Sequence, residues 1–282
     1  MAKQRLPYRS EVVGSLLRPG YLKDAIERAD RGELDADGLR AVQDRAALEA
    51  IALQEACGLD VITDGEVRRK FWFDPLTASL SGYNPEVPAP VPFKAAEGQP
   101  AEPPPKLPAV TDKLGYRTNL PLEEFGFLRA HAHTPVKTTI AGMTYASVLW
   151  VPGYSDDVYP DRDAYMAEAL ELMTRVVGEV VDAGTTYVQL DSPRAGTFEP
   201  LRFVPEDKVV VLGLVTTKEP ELEDAGQLKR RIEEASAFVP LERLALSPQC
   251  GFASTLPGNL VTFEDQRAKL ELVAAAARDV WS

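Results

Sequence analysis

The chain has 282 residues and is 45% hydrophobic, enough for one large α/β domain or two ordinary ones. With 31 basic against 43 acidic residues it carries a net charge of −12, which argues against nucleic acid or an anionic membrane as partner, since both need basic patches. Two cysteines make no disulfide framework, the opening residues hold no apolar run, and no stretch approaches about 18 apolar residues, so a cytoplasmic protein that spans no membrane is expected.

Glu11-Val-Val-Gly14-Ser15 reads as a short strand with a tight turn behind it. Leu22 to Arg31 predicts a helix closed by Gly32. Gly38 to Cys57 predicts another, with Leu39, Val42, Ala46, Ala50, Leu53 and Cys57 near helical spacing and Gly58 as its stop. Cys57 therefore reads as a buried helix residue. Leu59 to Glu66 is a buried strand running into Asp64-Gly65-Glu66. Two acids there are costly without a cation nearby, so they mark either a binding site or a solvated turn.

Residues 77–130 break the alternation, and the prolines from Asn84 to Pro108 rule out a helix or a central strand over that run. This is read as a long excursion from a single domain spanning 1–282, partly extended and with room for an edge hairpin. His131-Ala-His133 has the spacing of a metal pair. It precedes the strand Val136 to Ala141, however, which puts it at the strand's amino end.

Asp161 caps a helix over Tyr165 to Ala183, with Leu170, Met173, Val177 and Val181 as the predicted inner face and Gly184 as its stop. A strand comes next, Thr185 to Asp191, ending on an acid. Lys208 to Val215 is a continuous apolar strand of the kind buried on both faces. Leu228 to Phe238 is helical, Leu244 to Ser247 is the last strand, and Thr262 to Val280 is the closing helix. Strand–helix alternation predicts a parallel α/β sheet with right-handed crossovers and six strands, near 12, 60, 137, 187, 211 and 246. Ligands of such folds bind where strands end, so Cys250 is either a thiolate ligand or nucleophile, or a small filler residue.

Five stretches in order resemble the catalytic domain of cobalamin-independent methionine synthase. They are Val13 to Pro19, Gln54 to Arg69, Asp182 to Asp191, Pro193 to Leu201, and Leu246-Ser-Pro-Gln-Cys250-Gly251-Phe252. The resemblance implies a TIM barrel and a methyltransferase that moves a methyl group from a methyltetrahydrofolate-type or other donor to a zinc-bound thiol such as homocysteine. It implies Cys250 as a zinc ligand and Gly14 and Ser15 as the carboxylate-binding turn. Glu66 and Asp191 would hold the substrate ammonium, Asp191 would also be catalytic, and Trp150 would lie near a stacked pterin. An alanine at Glu66 or Asp191 is then expected to leave stability unchanged or raised.

The sequence departs from that family. Its His-x-Cys and glutamate zinc ligands are absent, Gln189 stands where the zinc glutamate would be, and the histidine expected near Thr216-Thr217 is missing. The counterpart of the family's fourth strand is joined directly to the segment that resembles the one after its sixth. Such a join would leave about six of the eight barrel strands and an edge open to a homo-oligomeric partner. The alternative reading is a non-catalytic relative that binds a small amino acid or thiol with an incomplete zinc site.

Overall fold

The computed structural model describes residues 8–71, 73–89, 107–141, 143–191, 209–253 and 258–281. In chain order the elements are α1 (Gly20–Asp30), α2 (Ala36–Cys57), α3 (Asp74–Ser79), β1 (Leu80–Ala89), β2 (Leu107–Tyr116), α4 (Leu120–His131), β3 (Thr138–Ala141), α5 (Arg162–Asp182), β4 (Val188–Asp191), β5 (Val210–Val215), α6 (Ala225–Ser236), β6 (Leu244–Pro248) and α7 (Phe263–Trp281). They fall into two compact units. The first holds Met1–Trp72, Phe127–Lys137 and Arg194–Ser282; the second holds Phe73–Gly126 and Thr138–Pro193.

The first unit is built on parallel backbone pairing. β5 runs parallel to β6, with Leu212 opposite Leu246. Leu246 bridges to Ser10, the Ser10 carbonyl accepts from the Asp60 and Val61 amides, and Ile62 bridges to Val136. The neighbours therefore run β5, β6, the segment at 10, the segment at 62, the segment at 136. Side chains alternate across this sheet. Val12, Ile62, Leu212 and Leu246 belong to the core cluster that also holds Ala46, Ala50 and Ile51 of α2 and Leu270 and Val273 of α7. Each such large apolar side chain stabilises the fold by roughly 1.5–3 kcal/mol on burial. Next to Val12 and Val136 in sequence, Glu11 and Lys137 form an ion pair at 3.1 Å, both almost fully buried. α2 ends at Gly58, which takes the left-handed conformation (φ 74°) that its missing Cβ permits.

In the second unit β1 and β2 form an antiparallel hairpin, β3 and β4 a parallel pair with Ala141 opposite Asp191. The hairpin lies within the proline-rich excursion, whose residues 90–106 are outside the described residues. One element was not foreseen here, and one expectation is corrected. Residues 120–131 are helical, because Asn119 caps the chain by accepting from the Leu122 amide at 2.9 Å. The inner face of α5 is Tyr165, Ala169, Met173, Val176 and Val180, whereas Leu170 and Val181 are about half exposed.

The parallel βα succession was expected. The described strands make three two-stranded sheets and isolated bridges, with no closed barrel among the described residues. The join at 191–192 and the stretch after it, 192–208, lie outside the described residues. No described helix is long and apolar enough to cross a membrane.

Candidate functional site

Three neighbouring parallel segments of the first unit each end in a turn rich in glycine, and the three turns meet. After the segment at 10 comes Gly14-Ser15, after the segment at 62 comes Asp64-Gly65-Glu66, and after β6 comes Cys250-Gly251. The Leu16 amide donates to the Gly65 carbonyl at 2.9 Å, and the Ala253 amide to the Ser15 carbonyl at 3.1 Å. Gly14 has φ +75°, and a Cβ there would stand 2.6 Å from the Gly251 nitrogen. A Cβ on Gly251 would stand 2.4 Å from the Ser15 nitrogen. Both glycines are therefore required by backbone-to-backbone approach.

Glu66 sits at the centre. Its backbone has φ 51°, the only positive φ outside glycine among the described residues, and such backbone costs are typically held at functional sites. Asp64 fixes the turn by accepting from the Glu66 amide at 2.9 Å. Burial pushes the Asp64 carboxyl above its ordinary value, against the pull of Arg69 and Arg68. The Ser15 hydroxyl donates to Glu66 Oε2 at 2.9 Å, and Arg69 Nη1 lies 3.3 Å from Glu66 Oε1. Arg18 spans the back of the site, donating to the carbonyls of Ala253 (2.8 Å), Glu66 (3.3 Å) and Arg69 (2.6 Å).

Gly14, Ser15, Glu66 and the Cys250 turn, expected as site residues, are thus brought together. Glu66 is not the bare acid expected: it is 1% exposed, accepts from Ser15 and pairs with the buried Arg69, so its removal would take a counter-charge from a buried guanidinium, and tolerance of alanine is not supported. Arg69 and Arg18 were missed as site residues; Arg69 stands only three positions from Glu66, whereas the carbonyls that hold Arg18 lie 48 to 235 positions away and only tertiary approach reveals them. Trp150 and Asp191 belong to the second unit. Trp150 is half-buried and donates its indole N–H to the Tyr159 carbonyl at 3.1 Å. Asp191 is the last residue of β4, as expected at a strand end.

Zinc, which the resemblance implies, finds a poor donor set. The whole chain has two cysteines and two histidines. Cys250 is exposed, but Cys57 is buried at the end of α2, where burial pushes its thiol up to about 11. His131 ends α4 with its ring on the Phe127 carbonyl, and the His133 amide is held by Glu55 of α2. Both histidines precede the strand at 136, whereas Cys250 follows β6, so they lie at opposite ends of parallel segments. No three His, Cys, Asp or Glu side chains group for a metal among the described residues. A closed tetrahedral site needs four such ligands and a catalytic one three, and these residues do not fit one.

No protein-family model matches the chain. Two Bacillus subtilis proteins described as uncharacterized, YxjH and YxjG, are 29% and 28% identical to it, over 99% and 100% of this chain and 96% and 97% of theirs. The methionine synthase of Pyrococcus abyssi is 26% identical over 65% of this chain and 51% of its own length. A solved Listeria monocytogenes chain, named as a candidate vitamin-B12-independent methionine synthase, is 26% identical with a TM-score of 0.71 over 99% of both chains. A B12-independent methionine synthase from Shewanella sp. W3-18-1, solved with selenomethionine, shares the fold at a TM-score of 0.75 and 17% identity over 97% of both.

Proposed function

The chain belongs to the cobalamin-independent methionine synthase family, and on that premise we propose that it binds a small amino acid of the homocysteine and methionine class at the Gly14–Ser15, Glu66 and Gly251 turns. The observation that carries this reading is the buried Ser15–Glu66–Arg69 constellation on strained backbone at three adjoining strand ends. A carboxylate accepts several hydrogen bonds, so a ligand ammonium would join Ser15 and Arg69 on Glu66. Gly14 and Gly251 let two of the turns pack backbone against backbone, which fixes Ser15 beside Glu66. The selenomethionine held by the Shewanella protein supports the ligand class. For Asp191 and Trp150, in the second unit, the roles that the resemblance implies remain proposals.

Methyl transfer to a thiol is the second reading, favoured by the exposed Cys250 directly before Gly251. It requires metal ligands from outside the residues described above, and no step is derived through zinc. Calorimetry with L-methionine and L-homocysteine tests the first reading. Wild type should bind at least one, and Glu66→Gln should weaken it by tenfold or more, about 1.4 kcal/mol. Equal binding by Glu66→Gln, or none by wild type, would overturn it.

A further inference from the structure

Beside the site turns, the first unit carries a cavity of about 190 Å³ between α2, the start of α7 and the segment that follows Ser15. Ala46, Ala50 and Leu53 of α2 form one wall, and Leu16 and Val67 form another. Leu16 and Val67 directly follow Ser15 and Glu66 in the chain, but neither Ser15 nor Glu66 lines this space.

Two polar side chains stand among these apolar ones, Glu49 and Gln266. Glu49 is exposed and already engaged: its carboxylate accepts from the Tyr21 hydroxyl at 2.8 Å and from Arg45 at 3.0 Å. Gln266 is 1% exposed. Its Oε1 accepts from the Leu17 amide at 2.7 Å, which fixes which end of the side chain is oxygen. Its Nε2 therefore carries two protons, and neither finds an acceptor among the described residues. A buried donor without an acceptor is costly, and folded proteins rarely keep one without a reason. Binding pockets have this make-up, an apolar wall with a few placed polar groups.

We propose that this cavity is a second binding site, separate from the site turns, for a small neutral carbonyl compound with an apolar body, whose oxygen accepts from Gln266 Nε2. An apolar cavity of about 150 Å³ holds benzene in another protein, so this one has room for a single ring or a short branched chain with a polar tip. An anion is disfavoured, because apolar walls and one neutral amide do not offset the loss of its hydration. The proposal does not rest on the amino-acid reading.

The probe is acetophenone, with ethylbenzene as a similar shape lacking the carbonyl and benzoate as a charged counterpart. Titrated into isotope-labelled wild-type protein and followed by NMR, acetophenone should shift the Gln266 side-chain amide. It should bind tighter than ethylbenzene or benzoate by about fivefold or more, the effect of one neutral hydrogen bond. Leu53→Trp fills the cavity from a half-buried position on α2 and should abolish this binding. Gln266→Met should leave acetophenone no tighter than ethylbenzene. That variant also takes the acceptor from the Leu17 amide; should it fail to fold, the wild-type comparison and Leu53→Trp decide. Absence of binding to wild type, with only water meeting Gln266, would overturn the proposal. Equal binding of acetophenone and ethylbenzene, or binding that survives Leu53→Trp, would overturn it as well.

Discussion

At the scale of single residues, the charge balance around Glu66 decides how the site tolerates change. Its carboxylate is 1% exposed and faces Arg69, which is also buried. Removing one member of a buried pair typically costs about 3–5 kcal/mol, because the other charge is left without compensation. Glu66→Ala should therefore lower the urea midpoint strongly with little change in slope, while Glu66→Gln, which still accepts from Ser15, should cost less. Equal midpoints for wild type and Glu66→Ala would mean that Arg69 is satisfied without Glu66. The site turns were legible in the sequence because each follows an apolar run and contains glycine. Their partners were not: Ser15 and Glu66 are 51 positions apart, and the Leu17 amide finds the Gln266 side chain 249 positions away. No local pattern encodes such a pairing; it arises only when parallel strands bring their ends together.

At the scale of elements, periodicity located most helices and misjudged one face. α5 turns Tyr165, Ala169, Met173, Val176 and Val180 inward. Leu170 and Val181 are apolar but lie on the water side, as many surface apolar residues do. α4 was hidden by the proline run before it, although Asn119, Pro121 and two following acids are the usual marks of a helix start. Asn119 does more than cap α4. Its amide donates to the Val176 carbonyl and to Glu179 of α5, and Glu179 also receives the Tyr116 hydroxyl at 2.6 Å and Arg175 at 2.9 Å. The Asn119, Tyr116 and Arg175 donors hold the Glu179 carboxyl down at about 2. A carboxyl depressed in the folded state contributes stability that is full above its unfolded value near 4.5 and is lost as pH falls toward 2. The stability difference between wild type and Glu179→Gln should thus be present at neutral pH and shrink across that window, read as thermal midpoints in a pH series. A difference independent of pH would show that the charge on Glu179 is not what matters.

At the scale of the whole molecule, the match to YxjH extends over 369 positions, and 282 residues leave at least 87 of these unfilled by this chain. A barrel of eight strand–helix units in roughly 250 residues spends about 30 on each. The shortfall is therefore of the size of two or three units, in keeping with the strand count read from the sequence. The soft metal donors in the chain are the two cysteines and two histidines already placed apart. We expect the purified protein to contain well below one zinc per chain by elemental analysis. Native Cys250, exposed at its turn, should alkylate at the same rate with added zinc and with chelator. Cys57 is the internal control: its thiol is buried and pushed up to about 11, so it should react only on unfolding. One zinc per chain, with Cys250 protected by the metal and released by chelator, would sink this expectation. It would require that donors from residues 192–208 or from a second chain complete a site around Cys250, because the described residues supply that thiol with too few partners to hold a metal.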